Sequence, residues 1–270
     1  MWAASSPRRS RPFPASATPT PSSPSGPSKM RALLAAAFLL ATGLPALAAD
    51  AAQSRAIGYS ADWKYFAYEQ WGIQDGSGFP YWSIFVLDLA ADRWAQGTPV
   101  DVVIESEEAR LTEARAQAQD KAGAILQKLA IGEPADLLLA NPATETASDR
   151  RVASFDFYYR HHQGNEPGAY QIAVRDVKLP APPSCTDPDF PVVGMEVVLR
   201  KTETGEEKVI ARDTSIPASR HCPTGYDIEA VYAPSSYGTS ARNVALIGVY
   251  SRGFEGDDRS VIAVPFDSMD

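Results

Sequence analysis

Two short acidic loops hold the side chains best suited to chemistry. Asp75 opens the run Asp75-Gly-Ser-Gly78, and Glu255, Asp257 and Asp258 crowd into the stretch 253–259. A carboxylate beside carbonyls on a glycine turn suits a hard cation such as Ca2+, and two converging carboxylates suit acid–base hydrolysis. Neither loop has the Asp-x-Asp-x-Asp ladder of a strong calcium site, and in an acidic chain a solvated turn is the simpler reading. Asp75, Glu255 and Asp257 are therefore metal candidates only if the two loops meet in space. His161 and His162 with Glu166 form a weaker candidate, because adjacent residues seldom point the same way. Ser77 lacks a Gly-x-Ser-x-Gly frame, and no phosphate-binding glycine loop or His-Glu-x-x-His helix occurs. The expectation is no catalytic residue and no required cofactor, with a carboxylate- or cation-dependent hydrolase as the rival.

Aromatic side chains carry more information. Eleven of the 26 aromatics lie between Tyr59 and Trp94. Phe66 and Phe85 sit in strand-like runs and read as core. Trp71, Phe79, Tyr81 and Trp82 instead border the glycine loop around Asp75. Rings beside a carboxylate suit sugars, peptides or cationic groups, whereas the plainer alternative is a set of rings capping a β core. Trp71, Asp75, Phe79, Tyr81 and Trp82 are the ligand-binding candidates.

Only two cysteines occur, Cys185 and Cys222, each in a proline-rich loop. In an oxidising compartment such a pair forms a disulfide. A metal site is the weaker alternative: His221 adjoins Cys222, and Asp187 and Asp189 lie near Cys185, without the paired spacing of zinc ligands.

The compartment follows from the leader. Lys29 and Arg31 precede an apolar run over 32–41, Pro45 breaks it, and Ala46-Leu-Ala48 supplies small side chains for cleavage. The run is shorter than the ~20 residues a bilayer span needs, so residues 30–48 read as a signal peptide rather than an anchor. Residues 1–29 are rich in Pro and Ser and read as a disordered extension ahead of a true start at Met30. A twin-arginine signal at Arg8-Arg9 fits less well, because a Pro/Ser tract separates the pair from the apolar run. Residues 1–49 hold five of the 25 basic residues and none of the 33 acidic ones, so the net charge falls from −8 to −13 without them. Such a chain repels phosphate backbones and anionic lipids, which argues against nucleic acid and against membrane insertion after cleavage. A periplasmic or secreted location follows.

Strands must position these residues. The runs 64–71 and 83–89 are aromatic and β-branched on both faces and predict strands buried on two sides. Strands are also expected over 152–159, 169–177, 192–201, 207–213, 226–233, 243–251 and 259–266. One amphipathic helix is expected over 106–131, with Glu107 and Glu108 in its first turn and Gly132 and Pro134 ending it. Residues 49–270 thus read as a single, mainly β domain of antiparallel sheets, sandwich-like or incompletely propeller-like, with a small β-propeller as the alternative.

Two resemblances follow from particular residues. The run Gly58-Tyr-Ser-Ala-Asp-Trp-Lys64, with a later strand ending in Asp88, resembles the repeat of TolB-type propellers, in which glycine stands where this chain has Trp63. Only one copy is present, and a propeller needs at least four blades. Tyr68-Glu69, Gln74 to Tyr81, Gly97-Thr-Pro99, Gly253 to Asp257, Arg259 and Ile262-Ala-Val264 together resemble a bacterial family of predicted secreted proteins with a domain of unknown function. That resemblance implies export and brings no reaction. The functional expectation is a binding or interaction module of the cell envelope, taking an envelope protein, a peptide or a carbohydrate. A structural envelope component is a further alternative.

Overall fold

A computed structural model describes residues 50–144, 149–157, 169–185, 187, 190–235, 242–253 and 256–269. They lie within one compact unit, Leu47–Asp270; a second, Met1–Ala46, falls outside them, and so does the expected signal peptide over 30–48. The histidine turn around His161 and the acidic residue Glu255 also fall outside the described residues.

Three antiparallel sheets and one α-helix make up this mainly β fold, among the described residues. The first sheet contains β1 (Gln53–Ser60), β2 (Tyr65–Ile73), β3 (Pro80–Asp88), β4 (Arg93–Trp94), β5 (Val100–Val103) and β6 (Ile131–Glu133), in the order β4-β3-β2-β1-β6 with β5 also beside β3. The second joins β7 (Ala135–Ala140) to β12 (Pro223–Pro234), β13 (Asn243–Arg252) and β14 (Asp257–Phe266), in the order β14-β13-β12-β7. The third is β8 (Val152–Asp156), β9 (Ala169–Val177), β10 (Gly194–Lys201) and β11 (Glu207–Arg212), in the order β11-β10-β9-β8.

The second sheet is the centre of the molecule, and strand alternation explains why. On β13, Val244 and Leu246 point toward the first sheet and pack with Phe66, Tyr68, Phe85 and Leu87. Ala245, Ile247 and Val249 point the other way, onto Ile172, Val174, Val197 and Leu199 of the third. Every side chain from Val244 to Val249 is therefore buried, which is why this run reads as continuously apolar. The first sheet is covered on its outer face by α1 (Leu111–Lys128). Ala114, Ala118 and Ala122 have no exposure, and their small side chains bring the helix close over Trp82, Ile84 and Val102. The result is a layered stack of helix and three sheets. No core cluster among the described residues joins the first and third sheets, as a closed propeller ring would require.

The helix is shorter at both ends than its apolar periodicity suggested. Arg110 is extended (φ −95°, ψ 147°), so Glu107 and Glu108 precede the helix and Glu113 occupies its first turn. At the other end Ala130 turns left-handed (φ 50°), and Ile131 leaves to pair with Ser60 of β1. Sheet pairing, rather than Gly132 and Pro134, ends the helix.

The propeller-like turn has a physical counterpart. Ser60 Oγ donates to Asp62 Oδ1 (2.8 Å) and accepts from the amides of Lys64 (3.1 Å) and Tyr65 (3.0 Å). Trp63 holds the left-handed conformation (φ 59°) that glycine serves in the resembling repeat. Its ring lies 5.7 Å from that of Tyr59, a contact that offsets the ~1–2 kcal/mol of left-handed strain.

Candidate functional site

Trp71 and Trp82 face each other across the β2–β3 hairpin, with ring centroids 4.6 Å apart and planes 9° from parallel. Arg55 stands 5.8 Å from the free face of Trp71, and Arg115 of α1 stands 5.4 Å from Trp82. Beneath them Glu69, 1% exposed, accepts from Trp82 Nε1 (2.8 Å) and pairs with Arg55. Trp82 is itself buried, at 5% exposure. The two indoles and two guanidinium groups thus form a stacked ladder on the helix-covered face of the first sheet.

Tyr81 precedes Trp82 on β3, so its ring lies on the opposite face. It lies over Gly72, where a Cβ would come within 2.7 Å of the Tyr81 hydroxyl. The glycine is needed to make room for that ring. Phe79 and Asp75 belong to the turn Gln74–Phe79, where Gly76 (φ 78°) and Gly78 (φ 68°) supply left-handed positions. Of the five anticipated binding residues, the hairpin sets Trp71 and Trp82 on one face and Tyr81 on the other, while Asp75 and Phe79 stay in the turn between the strands.

Both acidic loops approach Asp50. Tyr81 donates its O–H to Asp50 Oδ1 (3.1 Å), and the Asp50 amide donates to Asp258 Oδ1 (3.1 Å). Burial pushes the Asp50 carboxyl up; the Tyr81 hydroxyl pulls it down, while the negative charges of Asp258 and Asp75 add to the rise. Asp258, rather than the exposed Asp257, is the partner from the second loop. No group of three or more His, Cys, Asp or Glu side chains among the described residues is spaced to hold a metal ion. Burial, with the Asp50 charge, also pushes the Tyr81 hydroxyl far above its usual range, so it remains a donor.

One residue further along β14, Arg259 anchors a buried ionic network that has no local sequence signal. Its Nη2 reaches Asp227 Oδ1 (2.8 Å) and Glu229 Oε2 (2.7 Å), with Arg259 and Asp227 side chains each 2% exposed. Arg150 and the Tyr250 hydroxyl (2.7 Å) complete the shell of Asp227. Gly248 leaves the space: a Cβ there would stand 2.1 Å from Asp227 Oδ1 and 2.5 Å from Arg259 Nη2. These charges tie β14 to β12 across β13 within the central sheet, and none of them lines the cleft described next.

The cleft lies elsewhere, where β4, β14 and β11, one edge strand from each sheet, surround a space of about 440 Å3. Its walls are apolar, with Leu87, Trp94, Met195, Ile210, Ile262 and Val264. Arg93, Arg212 and Arg220 line it with Asp92 and Asp213. Arg220 pairs with Asp213 (2.5 Å) and Arg212 with Glu196 (2.5 Å), whereas Arg93 has no carboxylate partner among the described residues. Trp94, wedged by Phe85 at 5.2 Å, shapes this space and a second one of about 750 Å3 beside the C-terminal turns of α1. Sequence reading missed the cleft because its residues come from three distant segments.

Cys185 and Cys222 are joined by a disulfide, with Cα atoms 5.6 Å apart. It ties the loop before β10 to the start of β12, and hence the third sheet to the second. No helix among the described residues is long and apolar enough to cross a membrane. No curated protein and no solved structure matches the chain. Residues 67–266 do match a family model, described as predicted secreted protein (DUF2259), and the span takes in the stacked tryptophans, the buried arginine network, the cleft and the disulfide; the chain belongs to that family of predicted secreted proteins.

Proposed function

We propose that the protein is a non-catalytic binding module of the bacterial cell envelope, periplasmic or released, whose ligand sits in the cleft between the three sheet edges. The observation that carries this reading is a cleft of mixed lining that sets apolar side chains beside three arginines, one of them without a carboxylate partner among the described residues, in a chain of net charge −8. Its volume of about 440 Å3 suits a small molecule or the end of a chain rather than a folded domain. Charge placement supports binding over catalysis. Glu69, Glu196, Asp213, Asp227 and Glu229 each face an arginine, an arrangement that fixes structure and leaves no free acid or base among them. Peptides, carbohydrates and envelope proteins remain the candidate partner classes. Neither Ca2+ nor another cofactor enters this reading; a melting temperature lowered by chelator would bring a cation back.

The test is a thermal-shift panel of short peptides, oligosaccharides and amphipathic carboxylates, run on the wild type and on Ser219→Trp. Ser219 lines the cleft and is exposed, so an indole there fills the opening without entering the core. A ligand at a hundred times its Kd adds ~2.7 kcal/mol, or about 5–10 °C for a domain of this size. The expected result is a shift in the wild type that Ser219→Trp abolishes. A shift that survives the indole, or a panel without any shift, would sink the proposal.

One observation favours the rival hydrolase. Asp50, with its carboxyl pushed up beside Tyr81 and Asp258, resembles a group kept protonated for acid catalysis. Turnover of an ester or glycoside that disappears in both Asp50→Asn and Asp258→Asn would favour it.

A further inference from the structure

Strand β14 is the edge of the central sheet, and its outward backbone groups can be accounted for one by one. Its pairing with β13 runs without a bulge from Asp257 to Phe266, so residues of one parity point their N–H and C=O away from β13. Arg259 belongs to that parity: its amide donates to Asp50 O (2.6 Å) and its carbonyl accepts from the Ala52 amide (2.9 Å). At Val261 the amide donates to Gln70 Oε1 (2.9 Å) and the carbonyl accepts from Tyr68 Oη (3.1 Å). Pro265 has no N–H, and its carbonyl accepts from Arg242 Nη2 (3.0 Å). Two positions remain, Asp257 at the exposed start of the strand and Ala263 within it. The N–H and C=O of Ala263 have no partner among the described residues, and Ala263 lines the cleft.

Caps at Arg259, Val261 and Pro265 protect most of this edge strand against strand addition. The gap at Ala263 is one residue wide, since Gln70 and Tyr68 block one side and Pro265 with Arg242 the other. An extended strand cannot pair there, but a single residue can, with its own N–H and C=O meeting those of Ala263. A fatty acid or a sugar offers no matching amide. Arg93, which has no carboxylate partner among the described residues, lines the same cleft, and Leu87, Met195 and Ile210 supply apolar wall.

We propose that the cleft binds the C-terminal end of a short apolar peptide, one residue pairing through its N–H and C=O with Ala263 and the terminal carboxylate with Arg93. This rests on the cleft being the binding site and adds the ligand class. The stabilised group is an anion on a forked donor, which fixes both the polarity and the end of the peptide.

The experiment is calorimetry with the tripeptide N-acetyl-Ala-Leu-Leu as the free acid and as its C-terminal amide, with dodecanoate as a third ligand. The wild type should bind the acid about tenfold or more tightly than the amide. Arg93→Gln should erase that preference; Arg93 is exposed, so the variant keeps its fold. Ala263→Pro should weaken both peptides and leave dodecanoate unaffected if it binds. That change deletes one outward N–H and no bond to β13, and Pro265 shows that the strand takes proline at this parity. Equal binding of acid and amide, a preference that persists in Arg93→Gln, or no peptide binding at all would overturn the proposal. Dodecanoate bound by the wild type but not by Ser219→Trp would, in that event, leave the cleft itself standing as a site for another ligand.

Discussion

Replacing Arg259 by methionine removes the cation that two buried carboxylates share. Arg259 Nη2 lies 2.8 Å from Asp227 and 2.7 Å from Glu229, whose side chains are 2% and 13% exposed. Breaking such a pair from one side costs about 3–5 kcal/mol, because the remaining charge stays buried. Arg150 still reaches Asp227, so the lower end is expected: about 3 kcal/mol, or about 6–12 °C in Tm. The pH dependence gives a sharper test. Burial pushes the Asp227 carboxyl up, but hydrogen bonds and charge from Arg259, with help from Tyr250 and Arg150, more than offset this and hold it below its ordinary value of 3.8. A depressed carboxylate stabilises the fold above its unfolded value, and that stability is lost as pH falls toward the folded one. Without Arg259 the burial effect dominates and the carboxyl rises, so acidification toward pH 4 relieves the variant instead. Urea denaturation between pH 7 and pH 4 should therefore show the deficit of Arg259→Met shrinking as pH falls. The triple variant with Asp227→Asn and Glu229→Gln should recover much of the loss at pH 7. A deficit below ~1 kcal/mol at pH 7, or one that stays constant with pH, would refute the reasoning.

Other expectations are simpler to check. Replacing both Cys185 and Cys222 by serine opens a loop with a sequence separation of 37 residues and should cost about 4 kcal/mol, read as a lower denaturation midpoint matched by reducing the wild type. Trp82→Phe removes the Nε1–H donor to the buried Glu69 carboxylate, and a loss of about 1–3 kcal/mol should appear in the melting curve. Gly248→Ala drives a methyl group into the Asp227–Arg259 pair, neither partner of which can retreat; soluble folded protein should be lost or the Tm should fall further than in Arg259→Met. Asp50→Asn should raise the Tm at pH 7. A carboxyl raised in the folded state destabilises it above that folded value, so the gain should fade as pH drops toward 3.8.

Much of the fold is legible because its hairpins announce themselves locally. Ala169–Val177 occupies the expected residues, and Asn243–Arg252 and Asp257–Phe266 extend the expected strands by one or two, since β-branched residues alternate between clear turn signals. The short strands β4, β5 and β6 carry too few residues for a periodic pattern, and β1, with Gln53, Ser54 and Arg55 at its start, has no apolar signature there. They form because longer neighbours offer them free edges. Site residues fare worse for the same reason. Asp227 and Arg259 are 32 residues apart, and Asp50 and Asp258 are 208 apart. Composition singles out the aromatic loop but says nothing of how its rings are arranged. Only the β2–β3 register reveals that its tryptophans stack on each other and that Tyr81 turns away.

The central sheet has an implication for how the chain is made and moved. Three of its four strands come from Pro223–Phe266, at the far end of the polypeptide. Until that tail is available, Phe66 and Tyr68 on one side and Ile172 and Val197 on the other have no surface to settle against. For a chain exported with its N-terminus leading, these two cores cannot close before the last strands arrive, whereas the packing of α1 on the first sheet draws only on residues 57–131. Loss of the last strands would therefore open both cores at once.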